Sequence, residues 1–147
     1  MGLDQELVDA ALALMDRRWP AGEPGGAAAV RVADGGILTS VGLDNMHASV
    51  ALCQETGAFV QAYTLDRAVT ASVCVCRDLE HGRVLILPPC GVCQERLALW
   101  GPEVEVAVPR PDDPTRWEAR TLAELHPHYW AAQFNDGKWP SYAQHSE

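Results

Sequence analysis

The sequence predicts an α/β protein, with a mixed sheet of about five strands between helices on both faces: a three-layer α/β/α arrangement. Three observations predict it. Apolar residues at helical spacing open the chain, β-branched runs of strand length alternate with further helical stretches, and Gly, Pro and Asp punctuate the joins. At 147 residues the chain has the size of one domain with room for a real core. Residues 1–147 are therefore expected to form a single domain, with about 129–147 as a C-terminal extension of unassigned structure.

Leu7, Ala10, Ala11, Leu14 and Met15 share one side of a helix over residues 4–18, with Asp4 as N-cap and Pro20 and Gly22 as the stop. Residues 27–33 read as a strand, Asp34-Gly35-Gly36 as a hairpin turn and residues 37–41 as the partner strand. A helical pattern returns over about 48–67, with Val50, Cys53, Phe59, Val60 and Tyr63 expected inward. Cys53 and Glu55 then fall in its first turns, where the backbone dipole favours negative groups.

Residues 70–76 are β-branched and apolar, hence a buried strand. Residues 77–82 make a turn and 83–87 a second strand. Pro88-Pro89 holds the backbone extended, a third helix runs from about Cys90 to Trp100, and Gly101-Pro102 ends it. Residues 104–108 form a further strand, 117–120 a short edge strand, and Thr121 caps a helical stretch beginning at Leu122.

Composition narrows the function. Hydrophobic residues at 48% and charged residues at 21% are ordinary for a globular protein. No apolar run approaches the roughly 18 residues that span a bilayer. The first six residues are acidic and lack the basic start of a signal peptide, so a cytoplasmic location without membrane attachment is expected. The net charge is −9 and Lys138 is the sole lysine, which argues against a nucleic-acid polymer and for a small-molecule substrate. Five cysteines in such a chain suggest reduced thiols or metal ligands, not a disulfide framework.

Two short stretches carry the chemistry: Cys53-Gln54-Glu55 and Pro89-Cys90-Gly91-Val92-Cys93. The i, i+3 spacing of Cys90 and Cys93 at a helix start suits a metal, but it is also the arrangement of a redox dithiol. Cys53 alone reads as a small buried hydrophobe, and Glu55 alone as a solvated helix residue. Together the four residues match the pattern of zinc deaminases: three thiols on zinc, a fourth position open to water, and a nearby carboxylate to move protons. Cys74 and Cys76 alternate with valines in a strand and read as core or face residues. His47 precedes the second helix near the expected pocket, and the other histidines, His145 among them, have no evident partner.

On these residues the chain resembles the cytidine deaminase family, with blasticidin-S deaminases as cousins, from about residue 27 to 125. The family's C-A-E is similar to Cys53-Gln54-Glu55, and its P-C-G-x-C is met in full by residues 89–93. Its T-x-x-E-L-x-P resembles the run from Thr121 to Pro127. The resemblance implies Zn2+ held by Cys53, Cys90 and Cys93, with Glu55 as proton carrier. It also implies a hydroxide attacking the ring carbon that bears an exocyclic amine, and a homotetramer with pockets near subunit boundaries. Three positions depart from the family. Gly42-Leu43-Asp44 stands where an N-x-E grips ribose, which leaves Asp44 and His47 as the candidate substrate contacts. An aromatic residue expected before the first strand is replaced around Glu23-Pro24. Thr56 stands where relatives carry an arginine after C-x-E. Three thiolates on Zn2+ leave a net negative centre, and Arg96, a turn beyond Cys93, is the candidate to offset it.

The resulting expectation is a zinc-dependent hydrolytic deaminase of a free aminopyrimidine nucleoside. Cytidine or deoxycytidine comes first, and a modified nucleoside, nucleoside-like antibiotic or other aminated heterocycle next. Two readings of other classes stay open: a dithiol redox protein using Cys90 and Cys93, and a catalytically silent zinc-binding module.

Overall fold

The computed structural model describes residues 2–140. In chain order it runs α1 (Gln5–Arg18), β1 (Gly26–Val32), β2 (Ile37–Ser40), α2 (Thr56–Thr64), β3 (Val69–Asp78) and β4 (Arg83–Leu87). It continues through α3 (Gly91–Leu97), β5 (Glu105–Arg110), β6 (Asp113–Thr121) and α4 (Leu122–Leu125). The sheet has six strands, one more than the expected count of about five, in the order β2-β1-β3-β5-β6 with β4 also paired to β3. β3 and β5 are parallel and the other pairs antiparallel, so the sheet is mixed as expected.

Alternation along β1 explains the layering. Its alanines Ala27 and Ala29 face α1, together with Leu7, Val8, Ala11 and Met15, whereas Val30 and Val32 face α2 and α3, with Phe59, Leu97 and Leu122. Small side chains on one face let α1 sit close. Burying Leu7 and Met15 completely contributes about 2–3 kcal/mol each. Asp4 caps α1 by accepting from the backbone N–H of Leu7 at 3.0 Å, and Arg31, buried on β1, donates to Asp4 at 2.8 Å.

The second helix differs from expectation. Only a 3-10 turn at Ala48–Val50 and α2 itself are helical; Cys53 lies ahead of α2, and Glu55 is its N-cap residue. Leu43 and Leu52 cause this. Their backbones pair as an isolated antiparallel bridge, which holds the chain extended until Gln54. Along α2 Thr56, Ala58, Phe59 and Ala62 are buried, Phe59 as expected, while Val60 and Tyr63, and Val50 ahead of the helix, are exposed. Ser40 fixes the start of α2: its hydroxyl donates to the carbonyl of Gln54 and accepts from the N–H of Ala58 at 2.9 Å. Gly57 permits the approach, since a Cβ there would lie 2.8 Å from that of Ser40.

Two strands are longer than the sequence suggests. β3 continues through Arg77 and Asp78, and β6 begins at Asp113, because pairing with β4 and β5 holds polar residues extended. Thr121 caps α4 as expected, and Glu124 completes a capping box with it. Beyond it, Trp139 stacks on Tyr129 at 4.4 Å and Trp130 Nε1 donates to Glu95 at 3.2 Å, which fastens the segment 129–139 to α3. His145 and the rest of residues 141–147 lie outside the described residues. Among the described residues no helix is long and apolar enough to cross a membrane.

Candidate active site

β4 delivers the chain to Pro88-Pro89, and Cys90 follows as the extended N-cap of α3 (φ −68°, ψ 169°). One helical turn later Cys93 is buried. The Leu43–Leu52 bridge aims Cys53 at the same point from the other side. The Sγ atoms of Cys53, Cys90 and Cys93 all lie within 4.8 Å of one another, and those of Cys53 and Cys90 are 3.5 Å apart. Zinc–sulfur bonds of about 2.3 Å in a tetrahedron separate sulfurs by roughly 3.8 Å. Three soft donors at this spacing suit zinc, and Cys74 and Cys76 stand outside the cluster.

The thiols are not equivalent. Burial, then the charge of Glu55, pushes the Cys93 thiol far up. Burial and the sulfur of Cys90 raise that of Cys53. Burial also pushes Cys90 upward, but the backbone N–H groups of Cys93 and Val92, with the sulfur of Cys53, outweigh it and hold Cys90 below the ordinary thiol range. Cys90 is thus the thiol most ready to meet a cation as thiolate.

Glu55 is 5% exposed at the head of α2, beside these sulfurs. Cys74 on β3 is buried against it. Its thiol is pushed far up by burial and then by the charge of Glu55, and so keeps its proton. The cleft over this cluster encloses about 750 Å³ and is lined by Cys53, Glu55 and Cys90 together with Trp19, Asp44 and Gln54. That volume is within the range of small-molecule sites. Asp44, a predicted contact, lines the cleft. His47, the other, is exposed, shares a 2.7 Å hydrogen bond with Ser49, and is not among the lining residues.

Arg77 builds one wall. It donates to the carbonyls of Pro20 (2.7 Å), Trp19 and Glu23 (both 3.1 Å) and to Asp16 (3.1 Å), pinning the α1–β1 loop. Trp19 Nε1 donates to the Gly26 carbonyl at 2.9 Å. Sequence reasoning missed Trp19, Gln54 and Arg77 as cleft residues. An unusual Gln inside a C-x-E motif was the available signal for one of them; a helix-terminal Trp and a strand Arg carried none.

No family model and no curated protein matches the chain. Solved structures do. The chain is similar to the crystal structure of the cytidine deaminase from Bacillus anthracis at 44% identity, over 90% of this chain and 92% of that one, with a TM-score of 0.81. The chain belongs to the cytidine deaminase family. The cytidine deaminase from Mycobacterium leprae is similar at 27% identity over 84% of this chain and 97% of that one, TM-score 0.65. The cytidine deaminase from Burkholderia pseudomallei, at 22% identity over 87% and 99% with TM-score 0.67, shares the fold. As a cytidine deaminase family member the chain is a hydrolase of C–N bonds, and its three-cysteine cluster is one that could bind zinc.

Within this cytidine deaminase fold the departures acquire positions. Arg96 Nη1 donates to Thr56 Oγ1 at 2.8 Å, so a guanidinium from α3 reaches the residue that follows C-x-E. Trp19 supplies an aromatic wall from the end of α1, near where the sequence lacks an aromatic before β1.

Proposed function

We propose that the chain is a zinc-dependent deaminase of a neutral aminopyrimidine nucleoside, with cytidine or deoxycytidine the first candidate. The observation that carries this reading is the meeting of three sulfurs within 4.8 Å beside a buried Glu55 at the floor of the cleft. Cys53, Cys90 and Cys93 would hold the metal. When bound, zinc supplies Lewis acidity that lowers the pKa of water.

Glu55 is the proton carrier. It takes a proton from the attacking water and gives it to the ring nitrogen next to the amine-bearing carbon. As the C–N bond breaks it hands the second proton to the amine, which leaves as ammonia while the carbon keeps oxygen as a carbonyl. Burial of Glu55 away from bulk water keeps these protons local.

Charge supports a nucleoside over a nucleotide. Arg77 is the one cationic side chain lining the cleft among the described residues, and Asp16 and three backbone carbonyls consume its guanidinium. A phosphate would meet Asp44 and Glu55 instead. A second reading, a nucleoside-like substrate bearing a cationic group, rests on Asp44, whose exposed carboxylate has no partner among the described residues. Assembly into several copies belongs to the same proposal. Leu43 and Leu52 at the cleft, with Met46 and Val50 on their loop, are exposed apolar side chains that another copy would cover.

The test is ammonia release by zinc-loaded protein over a panel of aminopyrimidines, nucleosides, nucleotides and aminated antibiotics, with metal content assayed on the same sample. Turnover of nucleosides ahead of their phosphates supports the proposal. One zinc per chain with no ammonia from any compound would favour the silent module, and neither zinc nor ammonia would favour the dithiol protein.

A further inference from the structure

Gln54 stands between a candidate metal ligand and the proton carrier, and its side chain is half-buried in the wall of the cleft. Two glycines make room for it. A Cβ on Gly26 would meet the carboxamide nitrogen Nε2 first and would lie 2.5 Å from the oxygen and 2.7 Å from the carbon, so the amide lies flat where any other residue's side chain would begin. A Cβ on Gly42 would lie 3.4 Å from Gln54 Cγ. Neither glycine has the positive φ that would require glycine for backbone reasons, which leaves the space itself as their use.

The amide's orientation follows from its one partner among the described residues. Cys74 Sγ donates to Gln54 Oε1 at 3.6 Å, and a buried thiol in this position is a donor. The oxygen is therefore turned to β3. Nε2, with two N–H groups, lies over Gly26 and has no partner among the described residues, and Gln54 and Gly26 both line the cleft. A half-buried amide donor without an acceptor costs free energy until one arrives.

We infer that Gln54 is a specificity-determining residue: its Nε2 donates to a ring carbonyl of the bound heterocycle, selecting aminopyrimidines that carry an oxo group beside the reacting amidine. The inference rests on the aminopyrimidine reading above. It assigns Gln54 to recognition, since Glu55 already supplies the proton transfers, so the loss of Gln54 weakens binding more than turnover.

The test is calorimetric binding of cytidine and 2-thiocytidine to zinc-loaded protein carrying Glu55→Gln, which spares the ligand. Sulfur is a weak acceptor, so the protein with Gln54 should bind cytidine about 3- to 10-fold more tightly than its thio analogue. Gln54→Ala should erase that difference, and Gly26→Ala, which displaces the amide, should erase it too. Gly26→Ala added to Gln54→Ala should change nothing further. In the Glu55 enzyme, Gln54→Ala should raise KM for cytidine by a similar factor with kcat nearly unchanged and one zinc per chain retained. A thio penalty that persists in both single variants would overturn the role of Gln54 and leave the deaminase reading intact. Failure of the zinc-loaded protein to bind either compound would overturn the aminopyrimidine reading and this inference together.

Discussion

Arg96 Nη1 and Thr56 Oγ1 are 2.8 Å apart, a hydrogen bond that joins α3 to the first residue of α2 across 40 positions of sequence. Each helix follows part of the thiol cluster: Cys53 and Glu55 precede Thr56, and Cys90 and Cys93 precede Arg96. Thr56 N–H also donates to the carbonyl of Cys53 at 3.1 Å. The bond thus ties together the two segments that carry the cluster and sets a guanidinium beside the residue that follows Glu55.

Arg96→Ala should therefore lose about 1–2 kcal/mol of stability and surrender zinc to a chelator faster than the parent. Thr56→Val, which keeps the guanidinium but removes its acceptor, should show a smaller effect. Urea unfolding and chelator-driven zinc release measure both. Unchanged release kinetics in Arg96→Ala would show that the cluster does not depend on this bond.

Removing one of the clustered thiols should act more severely. Cys90→Ala takes away the thiol most ready to ionise, and metal binding is linked to folding. Its zinc affinity should fall by more than the roughly 10- to 100-fold typical of losing a ligand's supporting hydrogen bond. Its melting temperature should drop toward that of chelated parent protein. Stoichiometric, tightly held zinc in this variant would remove Cys90 from the ligand set.

Arg77→Ala should loosen the Trp19–Glu23 wall by deleting four hydrogen bonds at a largely buried guanidinium. The expected cost is about 2–3 kcal/mol of stability. A raised KM with full zinc content should accompany it, because the wall touches the cleft and not the cluster. Loss of metal instead would place Arg77 in the support of the centre.

Asp4 provides a pH dependence. The backbone N–H of Leu7, and after it the Arg31 guanidinium, hold its carboxyl below the ordinary value of 3.8. A depressed acid contributes stability that is present above its unfolded pKa and is lost as pH falls through its folded one. Parent protein should accordingly lose stability below about pH 4. Asp4→Asn should lack this part of the loss while keeping the N-cap. Urea midpoints between pH 5 and 3 compare the two, and identical pH profiles would deny Asp4 this role.

How far the sequence could be read tracks how local each feature is. The α1 helix, the β1–β2 hairpin and the run from β4 through Pro88-Pro89 into α3 are written in contiguous residues, and they fold as expected. The meeting of Cys53, Cys90 and Cys93 is legible because few other chemistries need those residue types at that spacing. The head of α2 is not, since a backbone pairing between Leu43 and Leu52 overrides the helical pattern there. Of the inward set read for α2, Phe59 is buried, whereas Val60 and Tyr63 are exposed. Trp19 and Arg77 reach the cleft only through tertiary packing, and Gln54 gains meaning only when Gly26 lies beneath it.

The account turns on Glu55. Zinc content and steady-state ammonia release should be measured side by side for the parent protein and Glu55→Gln, on the nucleoside that the parent turns over best. With the thiols intact and only the Glu55 carboxylate removed, the variant should keep one zinc per chain while kcat falls about 100- to 10,000-fold. Zinc retained with turnover at the parental rate would contradict the assignment of Glu55 and the mechanism built on it.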